Sequence, residues 1–196
     1  ALAVLAVVSS PVMMGQEGIP DGVWVRPGFE LSVAESSIKK PRFLEFDDRG
    51  TLYVSVPNKG MINACRDNDG DGAYESLTTY VEGYESGKIL QAMQFYKSWL
   101  WFADMTGIYK SQDSNHDGNA DEVIKVVGED QLPITGGGHK WRAMLIHNDV
   151  IYTHVGDQTN ATDEPIMEND RKKIWTFNLD GSGKALFATG IRNTEE

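Results

Sequence analysis

The sequence predicts an all-β protein, a partial β-propeller of four-stranded antiparallel blades with about three to four blades represented. Three observations predict it. Three short apolar hairpins recur with aromatic landmarks at Tyr53, Trp101 and Tyr152, which are 48 and 51 residues apart. Two acidic loops superimpose residue for residue 46 positions apart. Helical periodicity is weak, because no stretch keeps apolar residues at i, i+3, i+4 and i+7 through successive turns.

The chain of 196 residues opens Ala-Leu-Ala-Val-Leu-Ala-Val-Val-Ser-Ser. This apolar run is too short to span ~30 Å of hydrocarbon as a helix. It suits the core of a secretory signal, with a strand as the alternative. Residues 1–16 are therefore read as a signal-peptide remnant and residues 17–196 as the N-terminal part of a propeller domain, periplasmic or secreted, with no membrane span. The single cysteine, Cys65, excludes an internal disulfide and any CxxC metal site. A free thiol fits export only if it is buried.

The hairpins come next. Phe46-Asp-Asp-Arg-Gly-Thr-Leu-Tyr53-Val54, Phe95-Tyr-Lys-Ser-Trp-Leu-Trp101-Phe102 and Ile146-His-Asn-Asp-Val-Ile-Tyr152-Thr153 each place a polar turn between apolar runs. That is the pattern of a β-hairpin. A third strand, an acidic loop and a fourth strand follow in each of the first two units. Four strands in roughly 45–50 residues is the size of a propeller blade rather than of a hairpin solenoid. Twenty glycines fit such a turn-rich chain.

The acidic loops are Asp67-Asn-Asp69-Gly-Asp71-Gly72-Ala-Tyr-Glu75 and Asp113-Ser-Asn115-His-Asp117-Gly118-Asn-Ala-Asp121. Oxygen donors at loop positions 1, 3 and 5 with glycine at 6 are what a hard cation such as Ca²⁺ requires. Asp67, Asp69, Asp71 and Glu75 form one candidate ligand set, and Asp113, Asn115, Asp117 and Asp121 the other. Thr78 and Ile124 stand where an EF-hand has its bidentate Glu, so these are not EF-hands. The alternative is a polar hairpin tip folded by Asx-turns. Ligands drawn from one local segment imply a structural metal rather than a catalytic one.

A formal charge of −11 argues against binding the phosphate backbone of nucleic acid and leaves room for cations. Among the four histidines, His139 is the candidate base. It follows Gly136-Gly137-Gly138, whose backbone can bend and approach a ligand closely, and it precedes Arg142 by three positions. His139 and Arg142 would point to opposite faces of a strand, so a bend at the glycines must aim the imidazole toward the propeller axis. The other reading is a flexible loop whose histidine is solvated.

His139-Lys-Trp-Arg142, Asp149-Val-Ile-Tyr152-Thr-His-Val-Gly156-Asp157, Asp180-Gly-Ser-Gly-Lys184 and Ala188-Thr-Gly190-Ile-Arg192-Asn193 occur in this order. The series resembles the glucose/sorbosone dehydrogenase family of six-bladed propellers, which use pyrroloquinoline quinone (PQQ). The likeness is best over residues 136–193 and extends loosely to Gly28-Phe29-Glu-Leu-Ser-Val33. The acidic loops resemble hairpin tips of the branch called membrane-bound dehydrogenases.

The resemblance implies oxidation of a sugar or aldehyde, with His139 as general base and hydride passing to the quinone. Arg192, Asn193 and Arg142 would contact the cofactor, Gln91 would be a substrate-side amide, and cytochrome c is a candidate electron acceptor. The family's catalytic Ca²⁺ ligands lie in later blades, so this chain is expected to be a truncated part of the whole. The competing functions are a non-catalytic exported propeller that binds a glycan or protein, and a lactonase-type hydrolase. The hydrolase requires metal ligands from separate blades, and no such set can be paired here.

Overall fold

The computed structural model describes residues 2–6, 22–84, 90, 92–133, 137–140, 142–158 and 170–194. Gln91, Gly136 and the expected leader boundary lie outside them. Alternating apolar and polar residues build three four-stranded antiparallel meanders. The first holds β3 (Leu44–Phe46), β4 (Leu52–Val56), β5 (Met61–Arg66) and β6 (Ser76–Val81). The second holds β7 (Ala92–Tyr96), β8 (Trp99–Asp104), β9 (Gly107–Gln112) and β10 (Glu122–Gly128). The third holds β11 (Arg142–His147), β12 (Val150–Val155), β13 (Lys173–Asn178) and β14 (Ala185–Thr189). These are the expected blades. Before them, β1 (Leu2–Ala6) pairs antiparallel with β2 (Glu30–Glu35). Among the described residues no helix is long and apolar enough to cross a membrane.

The sheets stack face to face because the second strands of the first two sheets, β4 and β8, are buried along nearly their whole length. In β8, Leu100 and Phe102 face the first sheet, where they meet Tyr53, Ile62 and Tyr80. The alternate residues Trp101 and Ala103 face the third sheet, where they meet Ile146, Ile151 and Phe177. Truncating Phe102, which is 0% exposed, to Ala is worth about 3–5 kcal/mol by cavity cost. Tyr53 and Trp101 are thus inter-sheet core residues, while Tyr152, at the same place in the third sheet, is only half-buried. Cys65 lies at 0% exposure, and burial lifts its thiol to about 12, which leaves it unreactive.

Side chains hold the inner strands in line. The Gln94 amide donates to the Ile146 carbonyl (3.0 Å) and accepts from the Ile146 N–H (2.6 Å). The Tyr96 hydroxyl donates to Asp149 (2.8 Å), and Glu45 accepts the Phe95 N–H (2.8 Å). The hairpin turns and acidic loops consequently share one end of the stack. Lys97-Ser98 and Asn148-Asp149, all at positive φ, form the tight two-residue turns that suit twisted hairpins.

The outer strands reveal a second repeat. In the first two sheets each carries a one-residue bulge, at Tyr80 in β6 and at Val126 in β10, 46 residues apart, while the bulge of β14 at Phe187 lies outside this spacing. The Tyr80 carbonyl, freed by its bulge, accepts the N–H of Ala120 from the acidic loop of the next sheet (2.9 Å). Strand β2 has its own bulge at Ala34, another 46 residues earlier, and the Ala34 carbonyl accepts the N–H of Tyr74 (3.0 Å). By register, β2 is therefore an outermost blade strand, and it docks the first acidic loop as β6 docks the second.

Candidate functional site

Opposite the turns and acidic loops, the sheets present the ends at which their inner strands begin. Three backbone segments of the third sheet converge there. His139 enters from the glycine-rich stretch before β11, Gly156-Asp157 leaves β12, and Ile191 to Asn193 follow β14. Main-chain hydrogen bonds staple them together: the His139 N–H donates to the Asp157 carbonyl (2.8 Å) and the Asp157 N–H to the Arg192 carbonyl (2.7 Å). Gly138 supplies the expected bend with φ +70°, at a point where a Cβ would meet the Gln158 backbone at 2.3 Å. A Cβ on Gly156 would lie 2.6 Å from the His139 Cβ and 2.8 Å from the Asn193 Oδ1, so only glycine lets these side chains close over it.

The structure brings His139, Arg192 and Asn193 together. Arg192 Nη2 lies 3.1 Å from His139 Nε2. A guanidinium can only donate, so Nε2 accepts and the ring proton sits on Nδ1. Arg192 is exposed, with its charge at the mouth of the cluster. Asn193 Oδ1 is buried and has no hydrogen-bond partner among the described residues, which leaves an acceptor for an N–H or O–H of a bound group. An anionic, carbonyl-rich cofactor such as PQQ fits this donor and acceptor set.

Arg142 makes its contacts elsewhere. It is 0% exposed, and its Nη2 donates to the Leu132 carbonyl (2.7 Å) and the Met105 carbonyl (3.3 Å). Burial lowers it to about 10, and Asp104 and Glu129 offset part of that loss. Its side chain ties β11 to the second sheet.

Sequence reasoning missed Arg171, which is 1% exposed. Its Nε donates to the Gly156 carbonyl (2.6 Å), its Nη1 to Gly137 (2.6 Å) and its Nη2 to His139 (2.8 Å). One fork thus fixes the glycine stretch, the histidine and the β12 exit. Asp157, 2% exposed, offsets the buried charge and pairs with Lys172 at 3.2 Å. Nothing in the sequence pattern marks Arg171, because its partners are backbone carbonyls that any residue supplies.

At the acidic end, the first loop draws one oxygen each from Asp67, Asp69, Asp71 and Glu75 to within 4.8 Å of one another. Asp67 accepts N–H bonds from Gly72 (2.9 Å) and Gly70 (2.6 Å), which hold its carboxyl below the usual range. Glu75 accepts the Asn68 N–H (2.8 Å). The second loop is wound in the same way, with Gly118 donating to Asp113 (2.8 Å) and Ser114 to Asp121 (2.7 Å). Its charge differs. Arg66 Nη2 pairs with Asp113 at 3.3 Å, and the Asn115 amide donates to both Asp117 and Asp121 at 3.2 Å. A polar cavity of about 580 Å³ lies beside both loops, lined by Asp47, Tyr53, Arg66, Asp67, Tyr80 and Asp113.

Residues 21–129 match a family described as a domain of unknown function, DUF7133. No curated protein matches the chain by sequence. Among solved structures, the holo PQQ domain of pyranose dehydrogenase from Coprinopsis cinerea is similar at TM-score 0.71 and 16% identity, over 86% of this chain and 43% of that one. The calcium structure of a Trichoderma reesei Carbohydrate-Active Enzymes Family AA12 protein is similar at TM-score 0.64 and 15% identity, over 86% and 45%. The PQQ-bound aldose sugar dehydrogenase of Streptomyces coelicolor is similar at TM-score 0.55 and 16% identity, over 82% and 53%. The chain spans about half the length of these neighbours or less. The likeness establishes the fold: the stacked sheets are propeller blades of the kind found in PQQ-dependent sugar dehydrogenases.

Proposed function

The chain belongs to the DUF7133 family, and from that premise we propose that it is the N-terminal part of an exported PQQ-dependent dehydrogenase that oxidises a sugar or aldehyde. The 3.1 Å contact between His139 Nε2 and Arg192 Nη2 carries the proposal. Arg192 donates to carboxylate or quinone oxygens, and Asn193 Oδ1 accepts an N–H or O–H of the bound group. Bound PQQ supplies the hydride acceptor. His139 takes the substrate hydroxyl proton at Nε2, which is available once Arg192 turns to an anionic partner. The Arg171 fork keeps the imidazole in place while the proton moves. Asp67, Asp69, Asp71 and Glu75 hold a structural Ca²⁺, and Asp113, Asn115, Asp117 and Asp121 form a weaker equivalent. Cytochrome c is the proposed electron acceptor.

The test supplies the full-length protein, of which this chain is the N-terminal part, with PQQ and CaCl₂ and follows dye reduction across a panel of aldoses and aldehydes. We expect turnover, and a fall of roughly 10²–10⁴-fold in kcat for His139→Gln with quinone binding retained. Neither quinone retention nor turnover on any substrate would favour the non-catalytic exported propeller instead.

A further inference from the structure

His154 plays no part in the scheme above, yet it stands directly behind the reacting cluster. It lies on β12, paired in register with Ala143 and Ile174, and is 2% exposed. Its ring Nε2 is 3.1 Å from the Ile191 carbonyl, and its Nδ1 is 3.0 Å from the Thr194 hydroxyl. Those two residues bracket Arg192 and Asn193. The chemistry of the partners sets the tautomer. A carbonyl only accepts, so Nε2 carries the proton and donates to Ile191, and the lone pair left on Nδ1 accepts the Thr194 hydroxyl. A neutral imidazole satisfies both positions at once. Desolvation holds the ring below its ordinary pKa, and the neighbouring Arg171 charge acts in the same direction.

The segment it grips also has backbone partners. After β14, Ile191 and Gly190 donate to the Lys172 carbonyl, and the Arg192 carbonyl receives the Asp157 N–H. We propose that His154 is a positioning residue, a neutral Nε2–H imidazole that clamps Ile191 and Thr194 and so presents Arg192 and Asn193 to His139. The inference rests on the reading of His139, Arg192 and Asn193 as the reacting cluster. Arg171 and His154 then divide the work. Arg171 fixes the histidine side of the 3.1 Å contact and His154 fixes the arginine side.

The experiment uses the whole chain and needs neither quinone nor sugar, so its failure is separable from a failed dye assay. Nitrogen-15 NMR of the imidazole at neutral pH should show a protonated Nε2 and an unprotonated Nδ1. Amide exchange at Asp157, which donates to the Arg192 carbonyl, reports docking of the segment. In His154→Phe, which keeps the ring volume and loses both bonds, Asp157 should exchange about 10-fold faster or more, with amides of β4 and β8 unchanged. Thr194→Val, at a half-buried position that leaves the core intact, should speed Asp157 exchange about threefold, and Thr194→Ser should restore it. A proton on Nδ1, unchanged Asp157 exchange in His154→Phe, a uniform rise across all sheets, or a Thr194→Ser protein that behaves as Thr194→Val would each overturn the proposal.

Discussion

The two ends of the sheet stack are held together by opposite chemistry. At the end that bears the turns, carboxylates accept backbone N–H groups: Asp47 from Arg49 and Thr51, Asp67 from Gly70 and Gly72, Asp113 from Gly118. At the end that bears His139, cationic and imidazole side chains donate to backbone carbonyls: Arg171 to Gly137, His139 and Gly156, Arg142 to Leu132 and Met105, His154 to Ile191. Each end is thus organised chiefly by side chains of one sign, although Asp104 at the His139 end also accepts the N–H groups of Thr106 and Gly107. The acidic end suits a cation, and the basic end suits an anionic ligand or a developing oxyanion.

The most disruptive way to break this comparison is to remove the central donor of the basic end. Arg171→Met leaves three carbonyls, one buried and two partly buried, without their guanidinium, and we expect a loss of about 3 kcal/mol in urea unfolding. Arg171→Lys should recover little, because an ammonium lacks the fork. A loss below about 1 kcal/mol would mean that the guanidinium does not organise this end.

The next test separates the two acidic loops. They share a backbone path, but the first sets four carboxylates around one point while the second contains Asn115 and is partly neutralised by Arg66. Calorimetric titration should find Ca²⁺ binding more tightly at the first loop. Asp69→Asn should weaken that binding about 10-fold, whereas Asp117→Asn changes it little, since charge count and ligand number set affinity. Equal effects of the two substitutions would erase the difference between the loops.

A smaller effect is expected from Arg66→Gln. Asp113 is 6% exposed at its side chain and Arg66 31%, so the pair is only partly screened. We expect a cost of about 1 kcal/mol without Ca²⁺, discounted for the half-open guanidinium. The same change should raise Ca²⁺ affinity at the second loop several-fold, making it resemble the first. Thermal unfolding with and without CaCl₂ measures both.

What the sequence disclosed follows from what leaves a trace in it. Turn chemistry, strand alternation and loop carboxylates are local, so the blades and both acidic loops could be read from residue types and spacing. His139, Arg192 and Asn193 came from a motif order, and the structure joins them across more than fifty residues. The role of strand β2 as an outer blade strand was not legible because its kinship with β6 and β10 resides in a bulge shared by Ala34, Tyr80 and Val126, three residues of unlike chemistry. Arg171 and His154 escaped because the carbonyls they bind have no residue identity. Arg142 was grouped with the cluster by motif, yet strand alternation from a start just beyond His139 sends its guanidinium into the core.

The gentlest perturbation, pH, sharpens the comparison because the two ends respond in different windows. His154 has its folded pKa held below the ordinary 6.5 by burial, so above that value neither the folded nor the unfolded chain protonates it. As pH falls below 6.5, the unfolded chain takes up a proton that the folded ring refuses, and stability drops by at most about 1.4 kcal/mol per pH unit. At the acidic end, Asp67, Asp117 and Asp121 are depressed from 3.8 by their backbone and side-chain donors. Their contribution persists until pH falls below 3.8 and is lost as it passes the folded values. Urea midpoints measured from pH 7.5 to pH 3 should therefore fall in two steps, and His154→Gln should flatten only the first. A single step near pH 4, insensitive to His154, would show that the imidazole is not held neutral and that the basic end lacks the proton-sensitive clamp its geometry describes.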